Sequence, residues 1–175
     1  MLEIDVEREV SFDETTEKFV VSKFRVTLEH SLVSMSKWES IWEEPFLGLK
    51  EKTSEQTISY VRMMILGDDP PPEVFQKLLK DHLSQINAHI AAKMTATRIS
   101  ESRNSSGSRE IITSELIYYW MFSMSIPMEC QFWHLNRLIT LIRVFNAKNA
   151  PKKKMSAAER RALNKQRLAK HKTRG

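Results

Sequence analysis

The sequence predicts a mainly α fold: a helical domain with an N-terminal β-hairpin or short sheet, followed by a basic, partly disordered or helical C-terminal tail. Three observations predict it. Strict alternation of apolar and polar residues is confined to the first 35 positions, helix-start signals followed by apolar spacing of three and four dominate residues 36–148, and the composition changes abruptly at Pro151. A chain of 175 residues, 41% hydrophobic and 28% charged, has room for one domain with a proper core, so residues 1–150 read as one globular domain and 151–175 as the tail.

Residues 2–7, LEIDVE, alternate apolar and acidic side chains, and residues 19–33, FVVSKFRVTLEHSLV, are rich in β-branched and aromatic residues. With the polar SFDETTEK between them they predict a hairpin or meander with one buried face. Ser36 and Glu39 stand at capping-box spacing, which predicts a short helix with Trp38 and Trp42 on one face, limited by Pro45. Thr53 and Gln56 repeat the box ahead of Ile58, Val61, Met64 and Ile65, and Gly67 offers the left-handed residue that ends a helix. After the stiff Asp68-Asp69-Pro70-Pro71-Pro72 turn, Val74, Leu78, Leu79, His82, Leu83, Ile86 and Ile90 trace one face of a single longer helix. His82 and His89 are two turns apart on it with no further ligands near, so they read as surface or boundary histidines.

Residues 99–109, ISESRNSSGSR, with five serines and a glycine, read as a mobile loop. Residues 110–112 read as a short strand or extended entry, Thr113 as the N-cap of a helix, and Pro127 as its end and the first turn of the next. On that next helix, over 128–148, Met128, Phe132, Leu135, Ile139 and Ile142 form an apolar face, and Asn136, Thr140 and Arg143 a narrower polar stripe. Trp120 and Trp133 fall in the densest apolar stretches and are expected in the core; the helix over 116–125, apolar on more than one side, needs either a central buried position, which is the preferred reading, or another chain's surface. Cys130 and His134 share a face at helical spacing. A nucleophilic thiolate needs an oriented base, and zinc needs three or four ligands; no third member is visible, so Cys130 is expected to be structural.

No catalytic residues, cofactor or metal are expected. Only four glycines are present, against a phosphate-cradling loop; a single cysteine excludes an internal disulfide and, with no signal-peptide pattern at the start, suggests a reducing cytosol; no apolar run reaches the length of a membrane span. Charge is asymmetric. From residue 148 onwards there are eleven Lys/Arg against one Glu, whereas the preceding 147 residues hold 16 Lys/Arg against 21 Asp/Glu. The tail lacks aromatic residues and cannot bury a core of its own, but Ser156 and Glu159 form a third capping-box pattern, so 157–170 is expected to become helical on a partner and to fray when free. Its candidate partner-binding residues are Lys152, Lys153, Lys154, Arg160, Arg161, Lys165, Arg167, Lys170, Lys172 and Arg174.

SLVSMSKWESIWEEPFL with KTSEQTISYVRMMIL, MTATRI, the long run REIITSELIYYWMFSMSIPMECQFWHLNRLITLIRVFNAKN, and the PKKKMS tail ending in TRG together resemble the small tail assembly chaperones of long-tailed double-stranded DNA bacteriophages, particularly those of phages of actinobacteria. The resemblance spans nearly the whole chain. It implies a non-enzymatic protein of the host bacterial cytoplasm that holds the tape measure protein soluble until tail tube subunits assemble around it, with the tape measure protein as partner, the tail tube protein and self-association as further contacts, and no membrane. In many such phages a ribosomal frameshift yields a longer second form. The resemblance supplies no catalytic residues. Two alternatives stay open from the residues alone: a structural tail or connector protein retained in the virion, and a nucleic-acid-binding protein that uses the basic tail, which has phosphate-neutralising charge but no aromatic residues for stacking.

Overall fold

The computed structural model describes residues 1–13, 17–48, 51–98, 111–149 and 157–172. It is mostly helical, with seven α-helices among these residues and a three-stranded antiparallel sheet at the N-terminus. The chain divides into a unit of Met1–Phe145 and a second of Asn146–Gly175.

In the first unit, β1 (Leu2–Asp13) and β2 (Lys18–Leu28) form a long hairpin with a bulge between Glu7 and Glu9. The register pairs Ile4 with Val26 and Leu2 with Leu28, so the apolar half of the LEIDVE alternation and the apolar positions of β2 fall on one face, where Ile4, Val6, Val26 and Leu28 are buried. The opposite face carries Arg25, whose Nε donates to Asp5 at 2.8 Å. A third strand, β3 (Ile65–Leu66), pairs with Thr27 and Leu28. It stands where helical spacing was expected to continue through Ile65. Helix α2 (Ser54–Met63) stops one residue before, and Gly67 follows β3 at φ 89°, turning the chain after a strand rather than capping a helix.

Helix α1 (Leu32–Trp42) starts five residues earlier than a helix capped by Ser36 would. Ser31 is its N-cap, accepting from the Ser34 N–H while the Ser34 hydroxyl accepts from the Ser31 N–H, a reciprocal box with serine in place of the usual Glu or Gln. The strand-like run 19–33 therefore ends at Leu28, and the last residues of that run belong to the α1 start. Helix α1 ends at Glu43 in the left-handed region. Thr53 caps α2 with Gln56 in the expected reciprocal geometry.

The single helix expected over 74–90 is two. Pro72 opens the short α3 (Pro72–Gln76), and α4 (Lys80–Ala91) begins afresh, with the His82 Nδ1 accepting the Leu79 N–H at 3.2 Å. Thr113 caps α5 (Ser114–Ser123) as expected. The helix expected over 128–148 is also broken: a 3-10 turn (Met128–Phe132) is followed by extended Trp133 and His134, and α6 (Leu135–Asn149) starts only then. A bridge between Ser31 and His134, with the Leu135 N–H donating to the His30 carbonyl at 2.7 Å, holds the chain extended at that point. Helix α1 is central, packing on α2, α5 and the 3-10 turn, and its Leu32, Met35 and Trp38 are fully buried with Ile117 and Met121 of α5 and Leu135 and Leu138 of α6. Among the described residues no helix is long and apolar enough to cross a membrane.

In the second unit, α7 (Ala157–Lys172) is the described element beyond the end of α6. The expected loop 99–109, Glu110 and the Ser156 cap lie outside the described residues; Ile111 and Ile112 form no strand.

Candidate functional site

The candidate partner-binding residues fall into two groups. Arg160, Arg161, Lys165 and Arg167 are exposed on α7, and Lys170 and Lys172 belong to the same helix; Lys152, Lys153, Lys154 and Arg174 lie outside the described residues. At 100° per residue, Arg160 and Arg167 share one side of α7 and Arg161 and Lys165 another, while Leu163 and Leu168 fall on neither a common stripe nor a buried face. Helix α7 thus presents cations around much of its circumference.

The first unit holds a polar cluster that spacing along the chain did not reveal. Glu29 and His30 leave β2, His89 comes from the end of α4 and His134 from the start of α6, and all four are buried. Glu29 Oε1 accepts from the His30 N–H and contacts His89 Nε2, both at 3.1 Å, while its Oε2 lies 2.7 Å from the α-amino group of Met1. His134 Nε2 donates to the His89 carbonyl at 2.9 Å and its Nδ1 accepts from the Asn136 N–H at 3.3 Å. The Tyr60 hydroxyl is hydrogen-bonded to His30 Nδ1 and to the Ser34 hydroxyl. His82, in contrast, is half-buried at the start of α4, which it caps, whereas His89 is buried one turn beyond Ile86 on the inner side of that helix.

The electrostatics follow from burial. His30 is held down to about 3, chiefly by desolvation and then by the neighbouring His134 and His89, with Glu29 opposing. Burial likewise lowers His134, against the stabilising bond to the His89 carbonyl. Burial pushes the Glu29 carboxyl up, but the α-amino group and His89 outweigh it and leave it below the ordinary carboxylate value. Desolvation raises the Tyr60 phenol, which therefore stays protonated as a donor. At neutral pH His30 and His134 are neutral imidazoles.

One ligand atom each from Glu29, His89 and His134 lies within 4.8 Å of the others, the one such trio among the described residues. Both nitrogens of His134 are already engaged by the backbone, Nε2 as donor and Nδ1 as acceptor, so a cation here would have to displace a bond to a buried peptide group. The donor set works as a hydrogen-bonded clamp between the β2–α1 junction, α4 and α6. Cys130 is not part of it. With α6 starting at Leu135, Cys130 and His134 have no shared helical face, and burial, then Glu129, raises the thiol pKa, the opposite of an activated nucleophile.

A second clamp is built on Glu39. Its Oε1 accepts the Phe46 N–H and its Oε2 the Ser114 N–H, each at 2.7 Å, so this α1 carboxylate secures the chain beyond α1 and the first turn of α5. Lys52 covers the same corner, donating to the Phe46 carbonyl and lying 4.2 Å over the Phe46 ring.

Helix α5 is not centrally buried. Ile117 and Met121 face the core, but Tyr119 is 64% and Phe122 68% exposed, three residues apart on its outer side. Tyr118 Oη donates to Gln131 of the 3-10 turn, which carries Phe132, 60% exposed. Trp120 and Trp133 are half-buried against the core rather than within it, Trp133 lying under the Arg137 guanidinium at 4.2 Å. An outward Tyr and Phe cannot be told from core aromatics by periodicity when the inner face is equally apolar. Comparison of the chain with protein-family models, curated proteins and solved structures finds no match.

Proposed function

We propose that this chain is a tail assembly chaperone that binds the tape measure protein of a long-tailed bacteriophage in the host cytoplasm, acting without enzymatic chemistry. The observation that carries the reading beyond the sequence resemblance is the outward aromatic side of α5, where Tyr119 and Phe122 expose large apolar surface on a helix whose inner side is anchored in the core. Such a side suits the apolar stripe of a long helical client that would otherwise aggregate. His30, His134 and Cys130 support the same direction, since burial holds the two imidazoles and the thiol neutral rather than poised for catalysis.

Co-expression with the tape measure protein of the same phage tests it. The wild type is expected to keep that protein in the soluble fraction and to co-purify with it, and Tyr119→Ser with Phe122→Ser to lose both while retaining the fold, since neither side chain is in the core. Equal recovery by wild type and double variant refutes the role given to α5. The cations around α7 favour a second reading, a nucleic-acid-binding protein, which requires affinity for oligonucleotides that falls steeply with salt. Retention at stoichiometric copy number in purified particles would instead mark a structural virion protein.

A further inference from the structure

The polar stripe of α6 has a partner that the histidine clamp creates. Asn136 donates through Nδ2 to the carbonyls of Ile90 and Ala92 at 3.0 and 2.8 Å, and these bonds, with that from His134 to His89, tie the end of α4 to the start of α6. The chain leaving α4 runs without regular structure over residues 92–98, turning at Met94 in the left-handed region. Between this segment and α6 lies a cleft of about 970 Å³. Lys93, Thr95, Thr97 and Arg98 form one wall, and Asn136, Thr140 and Arg143 the other, so three cations and three hydroxyls line it with no carboxylate and no aromatic ring among its lining residues. This charge stands out against the acidic balance of the first 147 residues.

We infer that this cleft is a binding site for an acidic stretch of polypeptide. Its volume lies at the upper end of the range of ligand pockets, far more than a lone carboxylate or phosphate fills, so the occupant is a chain segment. Lys93 and Arg98 meet its carboxylates by charge-assisted hydrogen bonds, and the Arg143 guanidinium adds to the positive field of the opposite wall. The Thr97 hydroxyl faces its peptide groups, the Thr95 hydroxyl, which accepts from the Thr97 N–H, has its proton to donate, the Thr140 hydroxyl, which donates to the Asn136 carbonyl, has lone pairs to accept, and Ala96 leaves width for a main chain. Single-stranded nucleic acid is disfavoured because no aromatic side chain lines the cleft for a base to stack on. The inference is independent of the tape measure proposal: it concerns the α4–α6 side, and it is tested with a synthetic ligand.

The test uses the full chain and a fluorescein-labelled glutamate-rich peptide, with the glutamine counterpart as control, read by anisotropy and by NMR shifts of the threonine methyls. Binding of the glutamate peptide alone is expected, with shifts at Thr95, Thr97 and Thr140. Lys93→Glu with Arg98→Glu, and separately the charge-neutral Ala96→Trp that fills the cleft, should each weaken it at least about tenfold. All three positions are exposed, so the body stays folded. Arg160→Glu with Arg161→Glu should leave the threonine shifts in place. Unchanged affinity of Ala96→Trp, binding by anisotropy without shifts at Thr95, Thr97 and Thr140, or displacement of the peptide by an oligothymidine at lower concentration than by unlabelled peptide would each overturn the assignment.

Discussion

Replacing Glu39 by Ala tests how the body is held together. The carboxylate is 7% exposed and accepts two buried peptide N–H groups, Phe46 and Ser114, at 2.7 Å each. Truncation removes both charge-assisted bonds and leaves two donors with no partner, a loss of about 1–3 kcal/mol for each unsatisfied group and therefore about 2–6 kcal/mol in all, centred near about 4 kcal/mol. Against a typical domain stability of about 5–15 kcal/mol this is a large fraction. Urea unfolding followed by tryptophan emission and far-ultraviolet circular dichroism measures it, and the melting temperature should fall by about 10 °C or more. Glu39→Gln keeps one acceptor but turns an amide N–H toward the other donor, so it should fall between wild type and Ala, at about 2 kcal/mol. Had Glu39 served only the Ser36 capping box that its spacing suggests, Ala would cost about 1 kcal/mol. A measured loss at or below that value, with Gln indistinguishable from wild type, refutes the clamp.

Stability should fall on acidification. His30 is depressed to about 3 and His134 is also lowered, so below the ordinary imidazole range near 6.5 the unfolded chain binds protons that the folded one refuses; stability is complete above about pH 6.5 and is lost progressively toward pH 3, with a slope of up to about 1.4 kcal/mol per pH unit from His30 alone. Calorimetry from pH 7 to pH 4 checks this, and a flat profile would contradict neutral burial of His30. Cys130→Ala should cost about 1 kcal/mol and leave client binding intact, and the native thiol should react with a disulfide reagent only as fast as the chain opens; rapid labelling of folded protein would overturn its structural role. Truncation after Ala150 should leave the melting temperature of the body unchanged while weakening co-purification of the tape measure protein, as should raised salt on the intact chain; equal recovery under all four conditions would leave the tail without a gripping role.

The fold class was legible because alternation in LEIDVE and the Thr53 and Thr113 caps are local signals, read within a few residues. Two errors are local: the start of α1 and the break before α4 turn on three-residue caps made by unusual residue types, Ser34 in place of Glu or Gln and the His82 ring accepting the Leu79 N–H. The break before α6 is not, because it is set by the His30 carbonyl meeting the Leu135 N–H from 105 positions away, a bond that local spacing does not encode. The same limit hid the histidine cluster. His134 was visible as a candidate only beside Cys130, whereas its neighbours are His89 and Glu29, brought by other elements. The polar stripe of α6 was legible, but not the segment over 92–98 that faces it.

Where the buried polar groups sit decides which mutations can report on binding. Glu39 joins α1 to the first turn of α5, His134 and Asn136 join the start of α6 to the end of α4, and the His30 carbonyl receives the first N–H of α6. Each of these bonds ends on a peptide group at a helix terminus, the place where helices carry unmet donors and acceptors. Because the termini are held this way, the outer side of α5 is released from structural duty: Tyr119 and Phe122 can face outward without loosening the body. A substitution at a terminus clamp then changes stability and binding together and cannot separate them. One on an outer side, such as Phe122→Ser or Ala96→Trp, should change binding at constant melting temperature, and a loss of binding that tracked the melting temperature across these outward variants would show that the two sides are not separable from the core.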